Sequence, residues 1–271
     1  MNVLFCGDVV GRAGRDAVKA YLPGLRRDLA VDVAIVNAEN AAAGFGLTER
    51  LAGELYDAGA DILTTGNHVW DQRDLIGYIA RDPRLLRPAN FPEGTPGAGW
   101  CRHPLGTGRS VLVVNLMGRL FMEPLDDPFA RLAAILAQCP LGGGATAIVV
   151  DFHAEATSEK MALGHFADGR VSAVLGTHTH VPTADAQILP GGTAYLSDAG
   201  MCGDYDSVIG MQKEPSVRRF VTKVPGEKAK PADGDGTLCG VFVAIDNASG
   251  LALHIEPVRV GGRLMPQMPR L

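Results

Sequence analysis

Five short clusters of polar residues that can bind metal ions lie within the first 180 residues. They are Gly7-Asp8, Glu39-Asn40, Gly66-Asn67-His68, Asp151-Phe152-His153 and Gly176-Thr177-His178-Thr179-His180. Carboxylate, amide and imidazole groups without a thiolate suit borderline or hard ions, so iron, manganese and zinc all remain candidates. Taken singly, Asp8 is typical of a turn residue after a strand. Taken together, the clusters supply more ligands than one tetrahedral ion needs, and a carboxylate such as Glu39 can bridge two ions.

The clusters follow segments whose patterns predict buried strands. Apolar, β-branched runs predict strands at Val3–Cys6, Val33–Asn37, Ile62–Thr65, Val111–Leu116, Ala147–Phe152, Val171–Leu175 and Ala194–Ser197. Helical patterns lie between several of them, at Arg15–Leu29, Glu49–Ala58, Arg73–Arg81, Pro128–Gln138 and Ser158–Phe166, with Thr48 as an N-cap. This alternation predicts an α/β fold. Because the carboxyl ends of the strands line one edge of such a sheet, the clusters should converge there. Within the last cluster, an extended His178-x-His180 segment would point both imidazoles to one side.

The last third of the sequence has a different pattern. Thr237–Ile245 and Ala252–Val260 flank an Asn247-Ala248-Ser249-Gly250 turn signal and predict an antiparallel hairpin, hence a mixed or second sheet. The segment Lys213–Gly236 lacks periodicity, and it is interpreted as a mobile loop that lies over the site. Three further histidines have no neighbouring ligands and are interpreted as structural or solvated. They are His103 in a loop, His165 in a helix and His254 in a strand.

Composition and charge limit the class of protein. The 271 residues are 46% hydrophobic and 20% charged, which predicts a single folded domain over residues 1–271. The net charge of −5 does not imply nucleic-acid binding, so an RNA substrate would depend on local groups or metal ions. Five scattered cysteines without a Cys-x-x-Cys pair indicate neither a disulfide framework nor a thiolate zinc site. With no signal-peptide pattern at Met1–Gly11 and no membrane-length apolar run, a cytoplasmic protein without a membrane anchor is expected.

The clusters resemble those of the calcineurin-like metallophosphoesterases, and more closely their YmdB-like branch of bacterial phosphodiesterases. The resemblance runs from Asp8 to about Met211 and includes Asp151-Phe152-His153-Ala154-Glu155-Ala156-Thr157-Ser158-Glu159-Lys160 and Tyr195-Leu196-Ser197-Asp198-Ala199-Gly200-Met201. The broad superfamily usually has Asp-x-His at the first strand and an Asp as the bridging ligand. This chain has Asp8-Val9-Val10 and Glu39 instead. Both departures fit the YmdB-like branch.

The resemblance implies a ligand set and an activity. Asp8, Glu39, Asn40 and His180 would hold one ion, and Glu39, Asn67, His153 and His178 the other, with Glu39 as the bridge. His68 would be the general acid, and a hydroxide that bridges the metals would be the nucleophile. The implied fold is a sandwich of two mixed β-sheets flanked by helices, self-associated as a homo-oligomer. The implied metal is iron, with manganese and zinc as alternatives, and the implied substrates are 2′,3′-cyclic and 3′,5′-cyclic nucleotides. Asp71 could orient His68, but an acidic residue that enters a helix ordinarily just complements the helix dipole, and this second interpretation is favoured.

Three other functions are considered. Gly7-x-x-x-Gly11-x-x-Gly14 is a weak match to a dinucleotide-binding module, because it lacks the Gly-x-Gly spacing and the chain lacks the Lys-Ser/Thr pair of a P-loop. The metal site could instead serve a regulatory or nucleotide-sensing protein with little turnover, or a phosphomonoesterase. Turnover set against stoichiometric binding separates the regulatory protein from an enzyme.

Overall fold

Thirteen strands and six helices form within the described residues, which are 1–106, 108–224, 226 and 229–270 of a computed structural model. The strands are β1 (Asn2–Cys6), β2 (Asp8–Val9), β3 (Val33–Asn37), β4 (Ile62–Thr64), β5 (Trp100–Leu105), β6 (Arg109–Met117), β7 (Ala147–His153), β8 (Ala173–Thr177), β9 (Gln187–Ile188), β10 (Ala194–Leu196), β11 (Met201–Asp204), β12 (Gly236–Ile245) and β13 (Ala252–Val260). The helices are α1 (Gly11–Asp28), α2 (Glu49–Asp57), α3 (Leu75–Ile79), α4 (Pro128–Gln138), α5 (Thr157–Ala167) and α6 (Lys213–Thr222).

These strands form two mixed sheets. The first has the order β2-β11-β12-β1-β3-β4, with β13 paired to β12, and the second has the order β5-β6-β7-β8-β10-β9. Strands β1, β3 and β4 run parallel to one another, whereas β12 runs antiparallel to β1. In the second sheet β6, β7, β8 and β10 are parallel and the edge strand β5 is antiparallel. The predicted α/β sandwich of two mixed sheets with flanking helices is confirmed.

Successive side chains of each strand point to opposite faces of the sheet, and this alternation creates three apolar layers. In β1, Val3 and Phe5 face the core between the sheets, whereas Leu4 and Cys6 face the core beneath α1 and α2. In the second sheet, Val111 and similar residues face the first sheet, and their neighbours pack against α4 and α5. Because both faces of each sheet are covered, the central strands have buried residues throughout, as in β3 and β7. Rigid strands packed on both faces therefore carry the polar clusters at their ends.

Most predicted elements are confirmed, and two assignments are wrong. The hairpin forms from β12 and β13, and the Thr48 hydroxyl caps α2 by accepting a hydrogen bond from the Leu51 N–H at 3.3 Å. The first part of the predicted 213–236 loop is instead helix α6, which has no buried residue and carries Val217, Phe220 and Val221 at helical spacing on an exposed face. Residues 225, 227 and 228 of that segment lie outside the described residues. His103 lies in strand β5 and not in a loop, since an edge strand tolerates the polar residues and Pro104 that obscured it.

Two further features concern the chain as a whole. All five cysteines are free thiols. Among the helices of the described residues, none has the length and apolar character needed to cross a membrane.

Candidate metal centre

The ligand clusters from both sheets meet at one edge of the sandwich. Asp8 directly follows β1 through Gly7, Glu39 lies just beyond β3, and His153 is the last residue of β7. Their side chains are fully buried, and one ligand atom from each lies within 4.8 Å of the other two. The expected convergence therefore occurs, and it joins strands of different sheets.

Four atoms that can bind a metal ion lie close together: His153 Nε2 and three atoms of neighbouring side chains. His153 Nε2 lies 2.6 Å from Glu39 Oε2 and 3.0 Å from Asn67 Oδ1. His178 Nδ1 lies 3.1 Å from the same nitrogen. Two donors bound at right angles to an ion, with bonds of about 2.1 Å, are about 3 Å apart. The spacing of these four atoms therefore fits ligands that share one ion.

A second group of buried polar atoms, from Asp8, Asn40 and His180, lies near Glu39. His180 Nε2 is 3.1 Å from Asn40 Nδ2, and both residues are buried. Asp8 Oδ1, Glu39 Oε2 and Asn40 Oδ1 are buried acceptors that receive no hydrogen bond within the described residues. Buried acceptors without a donor are costly, and a cation bound between them would remove that cost. The residues therefore fit a second ion next to the first.

Hydrogen bonds to the remote ring nitrogens fix the histidine tautomers. His180 Nδ1 donates to the Ile209 carbonyl at 2.8 Å, so its Nε2 keeps a lone pair for a metal. His153 Nδ1 lies 2.9 Å from the Thr177 hydroxyl, which itself donates to Asp151 Oδ1 at 2.7 Å. Since that hydroxyl proton is committed to Asp151, the Thr177 oxygen accepts the proton of Nδ1. His153 Nε2 is left as the ligand atom.

Asp151 is a functional neighbour whose role the sequence reasoning missed. It is fully buried and also accepts hydrogen bonds from Thr64 Oγ1 at 2.5 Å and Asn37 Nδ2 at 3.0 Å. Burial raises the pKa of Asp151 to about 7, although these hydrogen bonds oppose the shift. The spacing of the two residues could have indicated this role, because Asp151 and His153 are alternate residues of one strand and their side chains point to the same face.

Burial sets the protonation of the ligands. It raises the pKa of Asp8 and of Glu39 to about 7, with the nearby His153 opposing the shift of Asp8 and His68 that of Glu39. It lowers the pKa of His153 to about 4 and that of His178 to about 2. The two imidazoles are thus neutral near pH 7 and can offer lone pairs, while a bound cation would favour the ionised carboxylates.

The His178-Thr179-His180 segment reaches the site by a different geometry from the one predicted. It is not extended, because β8 ends at Thr177 and both histidines adopt positive φ, 101° for His178 and 65° for His180. Asp198 holds the turn by accepting hydrogen bonds from the Thr179 N–H at 3.0 Å and the Thr179 hydroxyl at 2.8 Å. The buried Lys160 ammonium lies 2.8 Å from the same carboxylate. A buried ion pair therefore stabilises the conformation that brings both imidazoles to the centre.

His68 lies beside the ligand cluster with its side chain 32% exposed. Its backbone N–H donates to Glu39 Oε1 at 3.0 Å, and its Nδ1 is 2.9 Å from Asp71 Oδ2. The helix-dipole interpretation of Asp71 is wrong, because α3 begins only at Leu75 and Asp71 contacts the imidazole directly. Asp71 therefore orients a histidine that solvent can reach.

Glycines in the clusters allow close approach. A Cβ on Gly66 would lie 2.1 Å from Glu39 Oε2 and 2.2 Å from His153 Cδ2. A Cβ on Gly7 would lie 1.9 Å from the Gly200 carbonyl, and one on Gly14 would lie 2.2 Å from the Cys202 carbonyl. The glycines after the first strand thus serve contacts between backbone segments, which removes the main reason to consider a dinucleotide-binding loop.

Comparison with known proteins places the chain in a family. A family model described as YmdB-like protein matches residues 4–258. The chain belongs to the YmdB-like family. It is 48% identical over 260 residues to the 2′,3′-cyclic-nucleotide 2′-phosphodiesterase of Bacillus subtilis, an alignment that covers 96% of this chain and 97% of that protein. The resemblance noted in the sequence is therefore confirmed.

Two solved structures have the same fold as this YmdB-like protein. A hypothetical protein from Thermus thermophilus is 44% identical, with a TM-score of 0.90 over 97% of this chain and 100% of that one. A novel phosphatase from Mycoplasma pneumoniae is 34% identical, with a TM-score of 0.90 over 96% of this chain and 93% of that one. The two-sheet sandwich is thus shared with both of these proteins.

Proposed function

We propose that this YmdB-like protein hydrolyses 2′,3′-cyclic nucleotides at a centre of two metal ions. The chain is a phosphoric diester hydrolase. The observation that carries the proposal is that Glu39 Oε2 lies 2.6 Å from His153 Nε2 and, like the buried Asp8 Oδ1 and Asn40 Oδ1, receives no hydrogen bond within the described residues. The cyclic nucleotide is the substrate named for the Bacillus subtilis relative, whose sequence this chain matches over nearly its whole length.

The residues divide into two ligand sets. Glu39 would contribute to both. Asp8, Asn40 and His180 would hold one ion with it, and Asn67, His153 and His178 would hold the other. Two bound ions would neutralise the phosphoryl oxygens and lower the pKa of a water molecule that serves as nucleophile. Iron is the proposed metal, with manganese and zinc as alternatives for this nitrogen and oxygen donor set.

His68 supplies the proton for the leaving ribose oxygen. Asp71 accepts the hydrogen bond of Nδ1, so the transferable proton of the imidazolium is the one on Nε2. A ribose alkoxide is a poor leaving group, and general-acid catalysis is worth roughly 10²–10⁴ in rate for such a reaction. The partial exposure of His68 lets a substrate oxygen reach the ring.

Charge favours a diester over a monoester. Lys160 is near the site by sequence but is buried and ion-paired with Asp198, so it cannot clamp a second phosphate charge. The chain as a whole carries −5, which repels a monoester dianion more than a diester monoanion. The proposal therefore extends to 3′,5′-cyclic nucleotides and places phosphomonoesters below both.

Turnover distinguishes this enzyme from a nucleotide sensor built on the same site. Protein loaded anaerobically with iron or manganese is mixed with a hundredfold excess of 2′,3′-cyclic AMP, and product is quantified by chromatography. The proposal expects many product molecules per chain. Stoichiometric binding without product, measured by calorimetry on the same sample, would show that the protein is a nucleotide sensor and not an enzyme.

A further inference from the structure

Phe121 is exposed and adopts a backbone conformation that bulky residues avoid. Its exposed fraction is 92%, and its φ is 64°. A large side chain at positive φ is an outlier, and such a conformation persists only where the surrounding structure imposes it. The neighbouring Leu120 is also exposed, at 49%. An aromatic ring that projects into water in this way contributes little to packing within the chain.

Buried groups hold the loop that presents this ring. The carboxylate of the buried Glu159 accepts hydrogen bonds from the Arg119 N–H at 3.0 Å and the Leu120 N–H at 3.2 Å. Asn90 joins the two ends of the loop, since its Nδ2 donates to the Met117 carbonyl at 2.8 Å and the Asp126 carbonyl at 2.9 Å. The loop is therefore fixed at its base and on the side of α5.

The loop lies next to the metal centre. In the sheet register Met117 is paired with His153, and the Gly118 N–H donates to the His153 carbonyl at 2.9 Å. Phe121 is three residues further on, so its Cα lies within about 11 Å of the Gly118 Cα.

Strand β6, which leads into this loop, also contacts the segment that precedes His68. The Asn115 side chain of β6 accepts a hydrogen bond at 3.1 Å from the Thr65 N–H, which precedes Gly66, Asn67 and His68. Opening the cyclic phosphate breaks one P–O bond. The freed ribose oxygen takes the proton of His68, and the nucleoside stays attached to phosphorus through the other oxygen. The base is carried on the neighbouring ribose carbon, so it stays close to the reacting phosphate and within reach of the loop that carries Phe121.

We propose that Phe121 is the stacking platform for the nucleobase of the substrate, with Leu120 beside it. The inference rests on the proposed function. An exposed ring can stack on any base, because every base has a π-face, so this platform accepts purines and pyrimidines alike. Glu159 is a positioning residue that holds the platform and does not contact the substrate.

The first test compares substrates with and without a base. For Phe121→Ala, kcat/KM for 2′,3′-cyclic AMP should fall about 5- to 150-fold, mainly through KM, which corresponds to one stacked base. The fall should be much smaller for methyl ribofuranoside 2,3-cyclic phosphate, which has the same reacting ring and no base. Phe121→Trp should retain activity on the nucleotide. Phe220→Ala is the matched control, since Phe220 is also exposed, at 68%, on helix α6. Equal losses on both substrates, or no loss on either, would overturn the proposal.

A second test works without turnover. In Phe121→Trp, adenosine should quench the added tryptophan fluorescence in a saturable way, while the wild-type signal from Trp70 and Trp100 stays nearly constant. Inactivity of the wild type on both cyclic phosphates would refute the proposed function, whereas this quenching still tests the base site. The absence of quenching would overturn the proposal that Phe121 stacks on the nucleobase. A change in sedimentation of Phe121→Ala at assay concentration, without a base-dependent change in KM, would assign Phe121 to contact with a second copy of the chain and also overturn it.

Discussion

Glu39 Oε2 lies 2.6 Å from His153 Nε2, although β3 and β7 belong to different sheets. Neither side chain is exposed to solvent. The contact therefore sits where the two halves of the sandwich meet, and a cation bound there would be shared between them. Loss of either residue should affect metal binding before it affects the fold, because the apolar core between the sheets is made by other residues.

Glu39→Gln should lower the metal content at both positions, whereas His153→Ala should chiefly deplete one. The reason is that Glu39 is proposed to hold both ions and His153 only one of them. Elemental analysis after anaerobic loading gives the ion count per chain. His254→Ala is the matched control, because His254 pairs with Glu256 on β13. A wild-type protein that carries one ion or none would contradict the two-ion centre.

Replacing His68 with Ala should reduce the rate on a ribose ester by roughly 10²–10⁴ and leave the metal content nearly unchanged. The loss should be much smaller for a nitrophenyl ester, because nitrophenolate leaves without a proton. Asp71→Asn should show the same substrate dependence with a smaller loss, since it weakens the orientation of the ring. Equal losses on both esters would assign His68 to phosphate binding instead.

Gly66→Ala should abolish binding of at least one ion. The added methyl group would lie 2.1 Å from Glu39 Oε2, so the carboxylate or the backbone must move. Gly53→Ala is the control, because this helical glycine has no atom within 4 Å of its ideal Cβ position. The control should raise the free energy of unfolding by about 0.5–1 kcal/mol. Normal metal content in Gly66→Ala would show that the donor cluster tolerates rearrangement.

Lys160→Met should lower the free energy of unfolding by about 3–5 kcal/mol, because it leaves the Asp198 carboxylate buried without its cation. It should also weaken metal binding, since Asp198 holds the turn that carries His178 and His180. Urea unfolding and elemental analysis measure the two effects. Lys213→Met removes an exposed ion pair with Asp206 and should change neither. A stable Lys160→Met variant with full metal content would refute this structural role.

Much of the architecture was predictable because local pattern and burial agree. The residues of β3, α4 and β13 were predicted with the bounds that form, since each has a clear period or a continuous apolar run. Strand β5 was not predicted from the sequence, because an edge strand needs only one hydrogen-bonded neighbour and so tolerates His103 and Pro104. Helix α6 was not predicted although Val217, Phe220 and Val221 have helical spacing, because the segment is rich in the Lys, Pro, Gly and Asp residues that are typical of a loop.

The site was predictable to the level of residue types and strand ends. What sequence could not provide is the long-range support of those residues. The relay from His153 through Thr177 to Asp151 and the pairing of Lys160 with Asp198 join segments 24 to 38 residues apart. The positive φ of His178 also could not be predicted from the sequence, because an isolated histidine gives no signal for a left-handed turn.

The preference of the enzyme for a cyclic diester is tested by measuring kcat/KM for 2′,3′-cyclic AMP and for 3′-AMP on one preparation with one metal loading. The cyclic substrate is a strained diester with a single negative charge, which suits a site whose nearby Lys160 is already paired with Asp198. We expect the cyclic diester to be hydrolysed with the higher kcat/KM. A higher value for 3′-AMP would contradict it and make the protein a phosphatase or nucleotidase that uses the same ligand cluster.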